Sequence, residues 1–191
     1  MTEPTRQCIK HSTALCAMLF AFFGMAPSAA WPQAASDTEL SIKAGFIYNF
    51  ALFAQWPEKA FKDTASPLVI CIAGDTATVE AFEPLTAKKI LGRSVSIHAF
   101  GDNATRHPCH ILYIDSTSKA EAAALLNRAR GSGALTVGDL DGFCRLGGVI
   151  NFYRQNNKLR FEINTDAAGR AGIKLSSQLL KLAKIVKEEK P

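Results

Sequence analysis

The chain has 191 residues, 48% of them apolar and 20% charged, with a formal net charge of +5. That composition excludes a disordered chain and suits one domain with a proper core. The mild charge, and aromatic residues at core-like positions rather than interleaved with basic ones, argue against a nucleic-acid binder.

The first stretch has the three parts of a cleavable export signal: basic residues (Arg6, Lys10), an apolar run from Thr13 to Met25, and the small-residue exit Pro27-Ser28-Ala29-Ala30. Small side chains at Ser28 and Ala30 place cleavage after Ala30, with Ala35 as a later alternative, so residues 1–30 are read as signal and 31–191 as a single exported domain. A run of about thirteen apolar residues falls short of the ~20 a membrane-spanning helix needs. Cys8 and Cys16 precede or interrupt that run rather than follow it, which argues against a lipid-modified cysteine. Their removal with the signal leaves Cys71, Cys109 and Cys144.

Ser36-Asp37-Thr38-Glu39 has the form of a capping box, and Leu40 to Trp56 after it is apolar nearly all round, which predicts a buried helix ended by Pro57. Lys59 to Ser66 reads as a polar connection. Leu68–Ala73 and Ile111–Ile114 are short continuous apolar runs, the mark of parallel strands covered on both faces. Each precedes a helix signal: Asp75 can cap a helix from Thr76 to Leu85, and Ser118-Lys119-Ala120-Glu121 opens one that runs to Arg130. Between them Ser94 to Phe100 alternates as an exposed or edge strand would, and Ala134 to Val137 reads as another buried strand.

Beyond Gly147 the pattern changes. Val149–Arg154 and Lys158–Asn164 form a hairpin about the turn residues Gln155-Asn156-Asn157. On its second strand Leu159, Phe161 and Ile163 point one way, and Arg160, Glu162 and Asn164 the other, toward solvent or a partner. A final helix is predicted from Leu175 to Lys187, with apolar stripe Leu175, Leu179, Leu182 and Val186. The fold class is therefore α/β: a three-layer single domain, its mixed and mostly parallel sheet flanked by helices and closed by a C-terminal antiparallel hairpin.

Cys71 and Cys109 flank strands expected to be neighbours, and in an oxidising compartment they are the pair chosen for a disulfide, leaving Cys144 as a free, buried or partly buried thiol. Closing that loop of about 39 residues stabilises by roughly 4 kcal/mol in the chain-entropy model.

No motif carries catalytic chemistry. His107-Pro108-Cys109-His110 is the densest set of ligand-type residues, but His110 opens a strand and Cys109 has a disulfide partner, so no metal is assigned. A nucleophile elbow is missing, Ser176-Ser177 opens a helix, and nothing around Cys144 would lower its pKa. Gly74-Asp75 completes no phosphate-loop pattern, and Gly147-Gly148 reads as a close approach or bulge. No cofactor is implied. What remains is a surface: Arg160, Glu162, Asn164, Arg170, Lys174 and Gln178 place mixed charge and polarity near the C-terminus, suited to protein recognition. A second reading is a small-molecule module with its pocket between the sheet and the first helix, near Tyr48 or Trp56.

The strings Lys43-Ala44-Gly45-Phe46-Ile47-Tyr48-Asn49-Phe50 with Trp56-Pro57, Thr136-Val137-Gly138-Asp139, Gly147-Gly148-Val149-Ile150-Asn151-Phe152, Arg160-Phe161-Glu162-Ile163-Asn164 and Leu175-Ser176-Ser177-Gln178-Leu179-Leu180-Lys181-Leu182-Ala183 occur in that order. Together they resemble the YfiR family from about residue 40 to 187. The resemblance implies a periplasmic, non-enzymatic repressor that binds the periplasmic portion of an inner-membrane diguanylate cyclase, limiting cyclic di-GMP and biofilm formation. It further implies a homodimer, sequestration by an OmpA-like outer-membrane lipoprotein, sensitivity to cysteine oxidation, and a partner-facing Glu162. Some members pair the cysteine matching Cys144 with one inside the Ile-Asn-Phe strand. Here that stretch is Ile150, Asn151, Phe152 and Tyr153, so at most one intrachain disulfide remains and Cys144 is left for an intermolecular bond.

Overall fold

A computed structural model describes residues 32–101 and 108–187. Contacts divide the chain into Met1–Gln33 and Ala34–Pro191, and the fold below is that of the second unit. The expected export signal, and His107 of the ligand-type cluster, lie outside the described residues. Among the described residues no helix is long and apolar enough to cross a membrane.

The first helix, α1 (Pro32–Leu52), begins ahead of the Ser36-x-x-Glu39 string, so that string lies inside the helix instead of capping it. It is also less buried than its composition suggests: Ala44, Ile47, Phe50 and Ala51 make one core-facing stripe, while Ile42 and Leu52 are exposed. The chain then makes β1 (Ala54–Gln55) and a single 3-10 turn over Glu58–Ala60.

The βαβ alternation runs as expected. β2 (Leu68–Ala73) is buried throughout and leads into α2 (Thr76–Phe82), whose N-terminus is capped by the Asp75 side chain accepting from the Thr78 N–H. β3 (Lys89–Ile90) and β4 (Arg93–Ala99) follow, turning through Leu91 and Gly92 at positive φ. β5 (Ile111–Ile114), α3 (Lys119–Ala129, capped by Ser118) and β6 (Leu135–Gly138) complete the alternating part. β7 (Ile150–Gln155) and β8 (Lys158–Asn164) are the predicted hairpin, tightened to a two-residue turn with Asn156 and Asn157 both left-handed. That is the turn geometry whose twist matches paired strands, and asparagine tolerates it better than most residues.

After β8 the chain forms α4 (Thr165–Arg170), β9 (Lys174–Leu175), α5 (Ser177–Leu182) and β10 (Lys184–Val186). The single final helix expected over Leu175–Lys187 is therefore replaced by strand, helix and strand. Backbone pairing explains it. β8 exposes a hydrogen-bonding edge that β10 fills in parallel, pairing Lys184 with Glu162 and Val186 with Asn164, while β9 pairs antiparallel with β1. Leu182, counted in the apolar stripe, is left 73% exposed.

The main sheet has eight strands in the order β10-β8-β7-β6-β5-β2-β4-β3. β2, β4, β5, β6 and β7 run parallel, and antiparallel pairs occur at β7–β8 and β3–β4. β4 is thus an inner strand by one short neighbour rather than the edge. Alternate residues feed two cores. Ile70, Ile72, Ile111, Tyr113, Val137 and Phe152 share one with Ile47 and Phe50 of α1, and Val69, Cys71, Leu112 and Ile114 share the other with Ala122 and Leu126 of α3. This is the three-layer α/β architecture expected. Cys71 and Cys109 are disulfide-bonded, with Cα atoms 5.7 Å apart, in the second core.

Candidate functional site

Strand alternation sends Glu162 and Asn164 away from Phe161 and Ile163, as read from the sequence, but that direction does not lead to solvent. Asn164 is fully buried and Glu162 only 8% exposed. The reason is the chain around it: the loop after β6, which carries Phe143 and Cys144, lies against this face, and the strand β10 pairs along the open edge of β8. Asn164 holds two elements at once, its Nδ2 donating to the Cys144 carbonyl at 2.8 Å and its Oδ1 accepting from the Ala167 N–H at 2.9 Å to cap α4. Glu162 accepts from Asn151 Nδ2 at 3.4 Å and pairs with Lys184 Nζ at 3.4 Å. Asn151 Oδ1 in turn accepts from the Leu140 N–H at 3.1 Å. The exposure expected of these two residues is corrected: they brace the 139–148 loop from beneath.

Gly138 at the end of β6 and Gly148 at the end of that loop are required by Phe143. Its buried ring lies where a Cβ at either position would clash with it, so the close approach read from Gly147-Gly148 belongs to Gly148. Cys144 is a buried free thiol, its Sγ facing the Val149 and Glu162 carbonyls. Burial first, and the Glu162 carboxylate second, push its pKa far up, so the thiolate needed for nucleophilic or redox chemistry is strongly disfavoured. That also argues against the intermolecular bond left open for Cys144.

Arg160, Arg170, Lys174 and Gln178 are exposed. Arg160 lies opposite Tyr153 on the hairpin, four positions or about 13 Å along β8 from Asn164. Arg170 closes α4, Lys174 is on β9 and Gln178 on α5. Of the six residues read as one surface, four remain outside and two are structural supports.

A second polar group escaped the sequence reading. Lys43, on the buried side of α1, pairs with Asp139 just past β6 and with Glu39 one turn earlier at 3.1 Å, and Glu39 also holds Arg154 of β7. Although burial opposes it, the two carboxylates keep the Lys43 pKa above its ordinary value, whereas burial raises that of Asp139 in spite of Lys43. The network ties α1 to the sheet at the carboxyl end of β6. Its signals were a lysine inside an apolar helix and an aspartate directly after a buried strand.

Tyr48 and Trp56, read as a candidate ligand pocket, both make polar contacts to backbone carbonyls. Trp56 Nε1 donates to the His110 carbonyl at 3.1 Å, and its ring meets Phe61 and His110 edge-on. Tyr48 reaches the Lys89 carbonyl at 3.5 Å. Cavities of about 370 and 300 Å³ are lined by neither residue. His110 uses both ring nitrogens, Nδ1 accepting from the Val69 N–H at 3.0 Å and Nε2 lying 2.9 Å from the Ala60 carbonyl, to which it donates. It is a core histidine.

The α1 string with Lys43, the turn at Asp139 and the hairpin, which these contacts knit together, are among the strings that occur in order along the sequence. A family model described as YfiR/HmsC-like matches residues 40–184, from within α1 to the first residue of β10. The chain belongs to the YfiR/HmsC-like family.

Proposed function

We propose that the chain is a periplasmic repressor that binds the periplasmic portion of an inner-membrane diguanylate cyclase and lowers cyclic di-GMP without being an enzyme itself. The observation that carries this reading is the family match over residues 40–184, which takes in nearly all of the described fold and suggests a regulator of that enzyme class. The buried high-pKa thiol supports a non-catalytic role. Export by cleavage after Ala30 belongs to the same proposal, since a soluble domain outside the cytoplasm can influence a cytoplasmic product only through a protein that crosses the membrane. Homodimer formation and relief by an OmpA-like outer-membrane lipoprotein complete it.

The mechanism is population shift. A repressor that binds the inactive arrangement of the sensor more tightly than the active one biases the enzyme by the ratio of the two affinities and no more. The exposed residues Arg160, Arg170, Lys174 and Gln178 are the proposed contacts, with Glu162 and Asn164 holding the surface beside them in shape. Binding of the purified chain to the isolated periplasmic portion of the cyclase tests this by calorimetry. Arg160→Glu combined with Lys174→Glu is expected to weaken binding at least tenfold while the melting temperature stays within a few degrees. Unaltered affinity in that variant would remove this surface from the interface, and no binding by the unmodified chain would end the reading.

A further inference from the structure

β10 (Lys184–Val186) ends the eight-stranded sheet, and among the described residues no strand pairs along its outer side. Its neighbours fix which backbone groups it leaves open. The Asn164 N–H donates to the Val149 carbonyl at 2.8 Å, so Glu162 and Asn164 turn their backbone groups toward β7, and Ile163 between them turns its own toward β10. In the parallel register Ile185 lies beside Ile163, which therefore bonds to Lys184 and Val186. The N–H and C=O of Ile185 are left pointing to the open side.

The side chains at this edge are apolar where they are free. Ile185 is 50% exposed, and Leu182, which closes α5 just before the strand, is 73% exposed. Lys184 is held on its own chain by the Glu162 carboxylate at 3.4 Å and lies 5.6 Å from the centre of the Tyr153 ring. Its charge is thus answered within the fold and does not call for an acidic partner. The opposite edge of the sheet differs. β3 has only two residues, runs straight into the left-handed Leu91-Gly92 turn, and its Lys89 carbonyl accepts from Tyr48 at 3.5 Å. An open edge with exposed apolar side chains is a template for another strand.

We infer that the occupant of this edge is β10 of a second copy, paired antiparallel about a two-fold axis at Ile185. The sequence is self-complementary in that register. Ile185 meets its own copy, exchanging both of its free backbone groups, and Lys184 lies opposite Val186, so that neither lysine of β10 nor its copy faces a like charge. The inference rests on the homodimer included in the proposed function and supplies its interface. It uses none of Arg160, Arg170, Lys174 and Gln178, so those residues stay available to the cyclase.

The test is sedimentation velocity on the purified chain over a range of concentrations, joined to cysteine cross-linking. Wild type is expected to show a concentration-dependent dimer. Ile185→Lys sets two cations face to face at the axis and should weaken dimerisation about tenfold, with the melting temperature within a few degrees of wild type. Leu91→Lys, at the β3 turn, should leave the dimer as it was. Ile185→Cys places two Cα atoms roughly 5.5 Å apart, inside the range of roughly 4.4–6.8 Å that a disulfide spans. Under mild oxidation it is expected to form a covalent dimer at least tenfold faster than Leu182→Cys, whose copy lies well away from it in this register. A chain that is monomeric at every concentration would overturn the inference and the homodimer with it. A dimer that Ile185→Lys leaves intact, that Leu91→Lys weakens equally, or in which the two cysteine variants cross-link at the same rate would overturn the inference alone and move the homodimer to another surface.

Discussion

Glu162 is the residue whose meaning changes most between sequence and structure. As an exposed strand residue it would be a plain charge at an interface. As an acceptor for Asn151 and a partner of Lys184 beneath the 139–148 loop, it is a support. Glu162→Lys places a second cation against Lys184 and strands Asn151, and is expected to cost about 3 kcal/mol, lowering the melting temperature by roughly 10 °C. Glu162→Gln, which keeps an acceptor for Asn151, should lose much less. Equal melting curves for wild type and Glu162→Lys would return the residue to the surface. Phe143 makes a comparable demand on Gly148: Gly148→Ala is expected to destabilise by about 1–3 kcal/mol, and Phe143→Leu in the same chain should recover part of that loss. Purely additive losses in the double variant would show that the two positions do not meet. His110 adds a pH dependence. Burial, with Arg93 adding to it, holds its pKa below the ordinary value of 6.5 even though the Ala60 carbonyl opposes the shift, so the unfolded chain takes up a proton before the folded one does. Stability should therefore fall as pH drops below about 6.5, and His110→Asn should flatten that part of the melting-temperature profile.

At the level of elements, the disulfide is the most direct test of the sheet order. Cys71 on β2 and Cys109 just before the adjacent β5 are bonded within the α3-side core. Replacing both by serine, or adding reductant, is expected to lower the melting temperature by roughly 10 °C, and insensitivity to both would contradict the bond. This pair was legible because two continuous apolar runs, each followed by a helix signal, announce neighbouring parallel strands. The hairpin was legible for the same kind of local reason, two alternating runs about a pair of asparagines. The C-terminal segment was not. Leu175, Leu179, Leu182 and Val186 satisfy helical spacing, and only the unfilled edges of β8 and β1, set by residues far away in sequence, draw Lys174–Leu175 and Lys184–Val186 into strands. The burial of Glu162 and Asn164 was hidden by the same cause, since alternation reports a side chain's direction and not what covers it.

For the whole molecule, the proposed contact surface and the buried groups that support it belong together. Around the hairpin and the C-terminal elements lie the exposed residues proposed to meet the cyclase, resting on a buried polar frame that also contains the Lys43–Asp139 tie to α1. The central claim is repression from outside the cytoplasm, and cellular cyclic di-GMP measured by mass spectrometry tests it most directly. In cells carrying the partner cyclase, the full chain should lower the nucleotide several-fold, while a chain lacking residues 1–30 and the Arg160→Glu, Lys174→Glu variant should both leave it high. Equal repression by the chain without residues 1–30, or no change with any of the three, would contradict the account.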